Sequence, residues 1–171
     1  MTEPSPTPAH TPSLAADIAR LAGVMAAEHY PNGERAALRR WAPGQPVPLA
    51  FYRLWLRHLG RDLPPESQTE AWMAIAWGLA TAGPDSHDPQ RPWGQALAES
   101  RYAEGRLERL LSAPEELRLD LYTSAVRFLA AKGERFDWQD AALFLLTTAP
   151  AKREGLHRRI ASRYYRHLPQ D

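Results

Sequence analysis

Cysteine is absent from the 171 residues, which excludes disulfides, thiolate nucleophiles, Cys-ligated zinc and Cys-ligated iron–sulfur clusters together. β-Branched residues are scarce, with three Val and three Ile in the whole chain, so strands have little to build on. No apolar run approaches the ~20 residues of a membrane span, and no basic segment leads into an apolar one at the N-terminus. These absences make a cytoplasmic chain with no membrane partner the expectation. Glycines are scattered singly, so no phosphate-cradling loop forms. His10, His29, His58, His87, His157 and His167 contain no pair spaced to ligate a metal from one helix face, so no metal and no cofactor are expected. Ser86-His87-Asp88 spells the residue types of a hydrolytic triad. Neighbours in sequence cannot hydrogen-bond in that series, and no catalytic residue is assigned. Paired acids such as Glu115 and Glu116 sit where carboxylates offset a helix dipole.

What is present repeats at helical spacing. Four of the 16 prolines fall before Ser13, which marks residues 1–12 as a disordered Pro-rich tail and residues 13–171 as one domain. Ser13 caps a first helix expected to run to about Tyr30, before Pro31-Asn32-Gly33. Further helices are expected over about 34–41, 49–59, 66–82, 93–100, 103–112, 114–133 and 137–149, and from Pro150 to near Leu168. The fold class is all-α, a single-domain bundle of about eight to nine helices. Gly83 to Pro92, with three prolines and almost no apolar residue, is the expected mobile loop. Phe51, Trp55, Trp72 and Trp77 read as core. Tyr164 and Tyr165 point about 100° apart, so one faces the core and the other is open to a partner.

The total charge of +1 hides a segregated pattern. Gly33–Arg61 carries Arg35, Arg39, Arg40, Arg53, Arg57 and Arg61 against Glu34, a net +5. Pro150–Leu168 carries Lys152, Arg153, Arg158, Arg159, Arg163 and Arg166 against Glu154, again +5, while the eight basic and 14 acidic residues between them give −6. In the last helix Leu156, Ile160, Tyr164 and Leu168 form the inward stripe, with Lys152, Arg158, Arg159, Arg163 and Arg166 in a neighbouring arc. Because 19 of 21 basic residues are Arg, whose fork fits phosphate and stacks on bases, phosphate-backbone binding is one reading. The other is that GC-rich codons or pairing with the acidic middle account for them. One exposed stripe favours nucleic acid; burial against Asp120, Asp137 or Glu108 favours a helical interaction module with no nucleic-acid role.

Four motifs in order carry a family resemblance: Ala36-Ala37-Leu38-Arg39-Arg40; Leu107-Glu108-Arg109-Leu110-Leu111-Ser112-Ala113 before Glu115-Glu116-Leu117; Phe136-Asp137-Trp138; and Ile160-Ala161-Ser162-Arg163-Tyr164-Tyr165. From about Asn32 to Leu168 the chain resembles the CasB small subunits of the type I-E CRISPR surveillance complex, Cascade. The resemblance implies an all-helical, non-catalytic antiviral-defence subunit, present as a pair, that sits beside other Cascade subunits. It further implies contact with crRNA and target DNA, and a hold on the displaced strand of the R-loop. Arg39, Arg40 and Arg163 are the contact candidates that the motifs carry over. Arg35, Arg53, Arg57, Arg158, Arg159 and Arg166 come from charge alone.

Overall fold

The computed structural model describes residues 13–170, so the proposed tail 1–12 lies outside the described residues. Those described form nine α-helices: α1 (Leu14–Ala26), α2 (Asn32–Arg39), α3 (Leu49–Leu54), α4 (Glu66–Ala82), α5 (Trp93–Glu99), α6 (Glu104–Leu111), α7 (Glu115–Ala131), α8 (Trp138–Leu146) and α9 (Pro150–His167). The all-α expectation holds, and no helix among the described residues is long and apolar enough to cross a membrane.

Helix α4 is the hub. Residues 72–80 are buried on every side, because α1, α2, α7 and α8 all pack around it. Trp72 and Trp77 lie in this helix, and Phe51 of α3 joins them in the core together with Trp55, the residue that follows α3. Trp55 meets Trp72 edge-on at 4.9 Å and donates its indole N–H to the Asp62 carbonyl at 2.8 Å. Gly78 makes room for the Trp138 ring, since a Cβ there would stand 2.6 Å from it. A second packing unit sets α9 along α5. A Cβ on Gly94 would lie 2.4 Å from the Ile160 carbonyl oxygen, so the two helix backbones approach as only glycine allows.

Three local expectations need correction. Helix α1 ends at Ala26, not Tyr30, because Ala27 is extended and the Arg35 guanidinium takes the terminal carbonyls. The helix expected over 49–59 changes winding: Trp55–Leu59 is π-helical, a local widening that spacing alone does not reveal. The loop Gly83–Pro92 is held down. Phe136 N–H donates to the Ser86 carbonyl at 3.2 Å, and Asp88 N–H to the Phe136 carbonyl at 2.9 Å. The Trp138 indole also reaches the Ser86 carbonyl, and the Trp138 amide donates to His87 Nδ1, both at 3.2 Å. Asp88 Oδ1 accepts from Gln90 N–H at 2.9 Å. Ser86, His87 and Asp88 therefore serve this backbone bridge, which apolar content could not foretell.

Gly94→Ala is expected to cost about 1–3 kcal/mol, because a backbone carbonyl rather than a flexible side chain must move. Gly105→Ala, in open space on α6, should be neutral or stabilising by up to ~1 kcal/mol. Urea midpoints at unchanged slope read both, and equal midpoints for the two variants would contradict the close α5–α9 seat.

Candidate nucleic-acid interface

Helix α9 starts with Pro150 at its first position, where no amide is needed. Leu156, Ile160 and Tyr164 face inward, but Leu168, the expected fourth member of the stripe, is exposed because the helix ends at His167 and Leu168 is extended. The Tyr164 hydroxyl donates to the Tyr102 carbonyl at 2.5 Å, fixing the helix's rotation. At about 100° per residue, Lys152, Arg159, Arg163 and Arg166 then fall within one arc of about 60° beside the buried stripe. All four are exposed. Arg158 does not share that arc: it points almost directly away from the stripe, next to Tyr165, so the five-residue arc reduces to four. Spacing places Arg158 one residue from Arg159, but on a helix that step is a large rotation.

The arc borders a cleft of about 190 Å³ between α5, α8 and α9, lined by Gly94, Asp137, Asp140, Ile160, Arg159 and Arg163 among others. Asp140 divides its carboxylate. One oxygen accepts the Trp93 amide at 3.1 Å, capping α5, and the other lies 3.5 Å from Arg159 Nη2. Arg159 is still 52% exposed in its side chain, so it reaches solvent beside its partner. Asp137 caps α8 through Gln139 N–H at 2.9 Å, and burial is the main cause that raises its carboxyl above the ordinary value.

The first basic stretch is divided. Arg39 and Arg40 are exposed at the end of α2, and Arg57 is exposed on the π-helical turn. Arg35 is turned inward, donating to the carbonyls of Met25, Ala27 and Tyr30, where it neutralises the C-terminus of α1. Arg53 grips Glu34 with two nitrogens at 2.9 and 3.2 Å. Arg61 pairs with Asp17 at 2.6 Å and lies over Trp55 at 4.9 Å. The exposed arginines among the candidates divide between two groups of helices: Arg39, Arg40 and Arg57 on α2 and the π-helical turn after α3, where α2 packs on α3 and α4, and the rest on α9, which packs on α5 and α8. Among the described residues no ion pair joins any of the nine candidates to Asp120, Asp137 or Glu108, although the Arg159 charge lies close enough to Asp137 to favour its ionised form.

One cation escaped the charge pattern. Arg118 is 4% exposed, with Nη2 donating to the Phe144 carbonyl at 2.5 Å and the guanidinium 4.0 Å from the Phe144 ring centre. Burial pulls its pKa down to about 10, so it stays charged at neutral pH. Its Nη1 lies 3.3 Å from His157 Nε2, which must therefore be the unprotonated, accepting nitrogen. Charge counting passes over Arg118, but its spacing of four, seven and eleven residues before Tyr122, Ala125 and Leu129 puts it on the inward face of α7, the signal that could have found it.

Residues 34–165, more than half of the chain, match the model of the CRISPR-associated protein Cse2 family. The chain belongs to that family, and Cse2 is the CasB subunit of type I-E Cascade. No curated protein and no solved structure matches the chain.

His157 is held below its ordinary value first by burial and then by Arg118, with Arg153 adding and Glu154 opposing. An unfolded imidazole keeps a value near ~6.5. The neutral ring thus contributes stability that is fully present above about pH 6.5 and is lost as pH falls through the lowered folded value. His157→Gln, which retains an acceptor, should show a shallower fall in melting temperature between about pH 7.5 and 5 than the unaltered chain. Parallel profiles would contradict the assigned neutral ring.

Proposed function

We propose that the chain is a non-catalytic, nucleic-acid-binding small subunit of a cytoplasmic type I-E complex, working beside other Cascade subunits and a second copy of itself. The reading rests on one observation above all: the exposed arc of Lys152, Arg159, Arg163 and Arg166 on a helix whose rotation is fixed by Tyr164. Such an arc meets phosphates and reads no bases, while guide–target pairing reads sequence. In this role it steadies crRNA–target DNA and the displaced strand of the R-loop. Arg39, Arg40 and Arg57 form a second, smaller contact on the α2–α3 side, and Arg158 sits apart from both. Arg35 and Arg53 are structural in this reading, since their guanidinium groups already have internal acceptors.

A second reading, a protein-interaction module with no nucleic-acid role, is favoured by those internal pairings and by the Asp140–Arg159 contact. The two separate in a salt titration on random-sequence single- and double-stranded DNA. Arg163→Glu/Arg166→Glu should bind more weakly whatever the sequence. Removing one arginine–phosphate ion pair should flatten the log K against log salt plot by about 0.7–0.9. Helix content should not change, and the fall in melting temperature from placing acids near Asp137 and Asp140 and at the C-terminus of α9 should be small beside the loss of binding. Affinity and slope equal to those of the unaltered chain, both free and in the assembled complex, would favour the module.

A further inference from the structure

The edge of α9 opposite the basic arc has a different chemistry. Here α9 and α6 bound a groove of about 500 Å³. Glu104 and Glu108 line it from α6, Glu154 from α9, and no Lys or Arg is among its lining residues. Leu107 and Leu111 give it an apolar floor, with Leu107 buried and Leu111 half-buried. Tyr165, 53% exposed, donates its hydroxyl to Glu104 and closes one end. His157, the remaining titratable group, is neutral at working pH because burial and Arg118 hold its value down. Glu108 and Glu154 make no ion pair among the described residues.

A phosphate backbone has no reason to enter three carboxylates. We infer that this groove is a protein-docking surface for a basic amphipathic segment of another subunit, one that sets an Arg or Lys between Glu108 and Glu154 and an apolar side chain against Leu111 and Tyr165. Charge complementarity selects that occupant: every charged residue in the lining is acidic over an apolar floor, with Arg158 outside the lining beside Tyr165, in a chain whose other exposed edge of the same helix is basic. Helix α9 then has two working edges, one for nucleic acid and one for protein. The inference rests on assembly into Cascade, and not on which strand the basic arc meets.

The test uses the whole chain co-expressed with a tagged backbone subunit, the remaining subunits and crRNA. Glu108→Arg/Glu154→Arg should lower its recovery in the purified complex by about ten-fold or more, because like charges now face each other in the groove. As a free protein the variant should melt like the unaltered chain and bind DNA at least as well. A photoreactive p-benzoylphenylalanine at position 165 should cross-link to an Arg- or Lys-bearing segment of another subunit. Unchanged recovery of the variant, or cross-links that go to nucleic acid, to a second copy or to an acidic segment, would overturn the docking surface while leaving assembly intact. If the unaltered chain itself fails to enter the complex, the assembly reading falls and the docking surface with it.

Discussion

The seat of α9 on α5 is the contact on which the proposed binding surface depends. It exists because Gly94 has no side chain where the Ile160 carbonyl passes. The close approach sets the height of α9, and the Tyr164–Tyr102 hydrogen bond sets its rotation. With those two degrees of freedom fixed, every other side chain of the helix has a determined direction: Leu156 and Ile160 inward, Lys152, Arg159, Arg163 and Arg166 to one edge, Glu154 and Tyr165 to the other. A helix of this composition, rich in charge and with a narrow apolar stripe, would be marginal alone. Its packing, more than its propensity, holds the charges in place.

Much of the architecture is legible in spacing and punctuation. Three of the four stripe positions of α9 (Leu156, Ile160 and Tyr164, but not the exposed Leu168), the core roles of Phe51, Trp55, Trp72 and Trp77, and the helix ends marked by Ser13, Pro150 and Asp137 follow from periodicity and capping chemistry. The Tyr164/Tyr165 pair divides as its rotation requires, one buried and one exposed. What periodicity cannot supply is the partner across space. The loop after α4 lacks apolar residues, yet it is anchored because its backbone bridges to Phe136. The end of α1 falls earlier than its punctuation indicates for the same reason: the guanidinium that takes its carbonyls comes from the next helix.

The arginines show this limit most clearly. Counting charge along the chain treats them as equal, whereas the fold sorts them into three kinds. Arg35 and Arg118 satisfy carbonyl groups at helix ends or in the core, and Arg53 and Arg61 are clamped by carboxylates from other segments. Arg39, Arg40, Arg57, Arg158, Arg163 and Arg166 reach solvent, and Arg159 does so from beside Asp140. Arg suits all three tasks, since its planar fork serves several acceptors and stays charged when partly desolvated. An excess of Arg in sequence is therefore a mixture of scaffold and surface, and the net +5 of each stretch overstates what a partner would meet.

Whether the α9 arc faces nucleic acid in the assembled complex is tested most directly by photo-cross-linking. Target DNA carries 4-thiothymidine on either strand, and the cross-linked peptides of this chain are mapped. Peptides from the 152–166 segment are expected, with the cross-links on the edge bearing Arg159, Arg163 and Arg166. Cross-links confined to the opposite edge around Tyr165, or absent from this chain when neighbouring subunits are labelled, would contradict that placement.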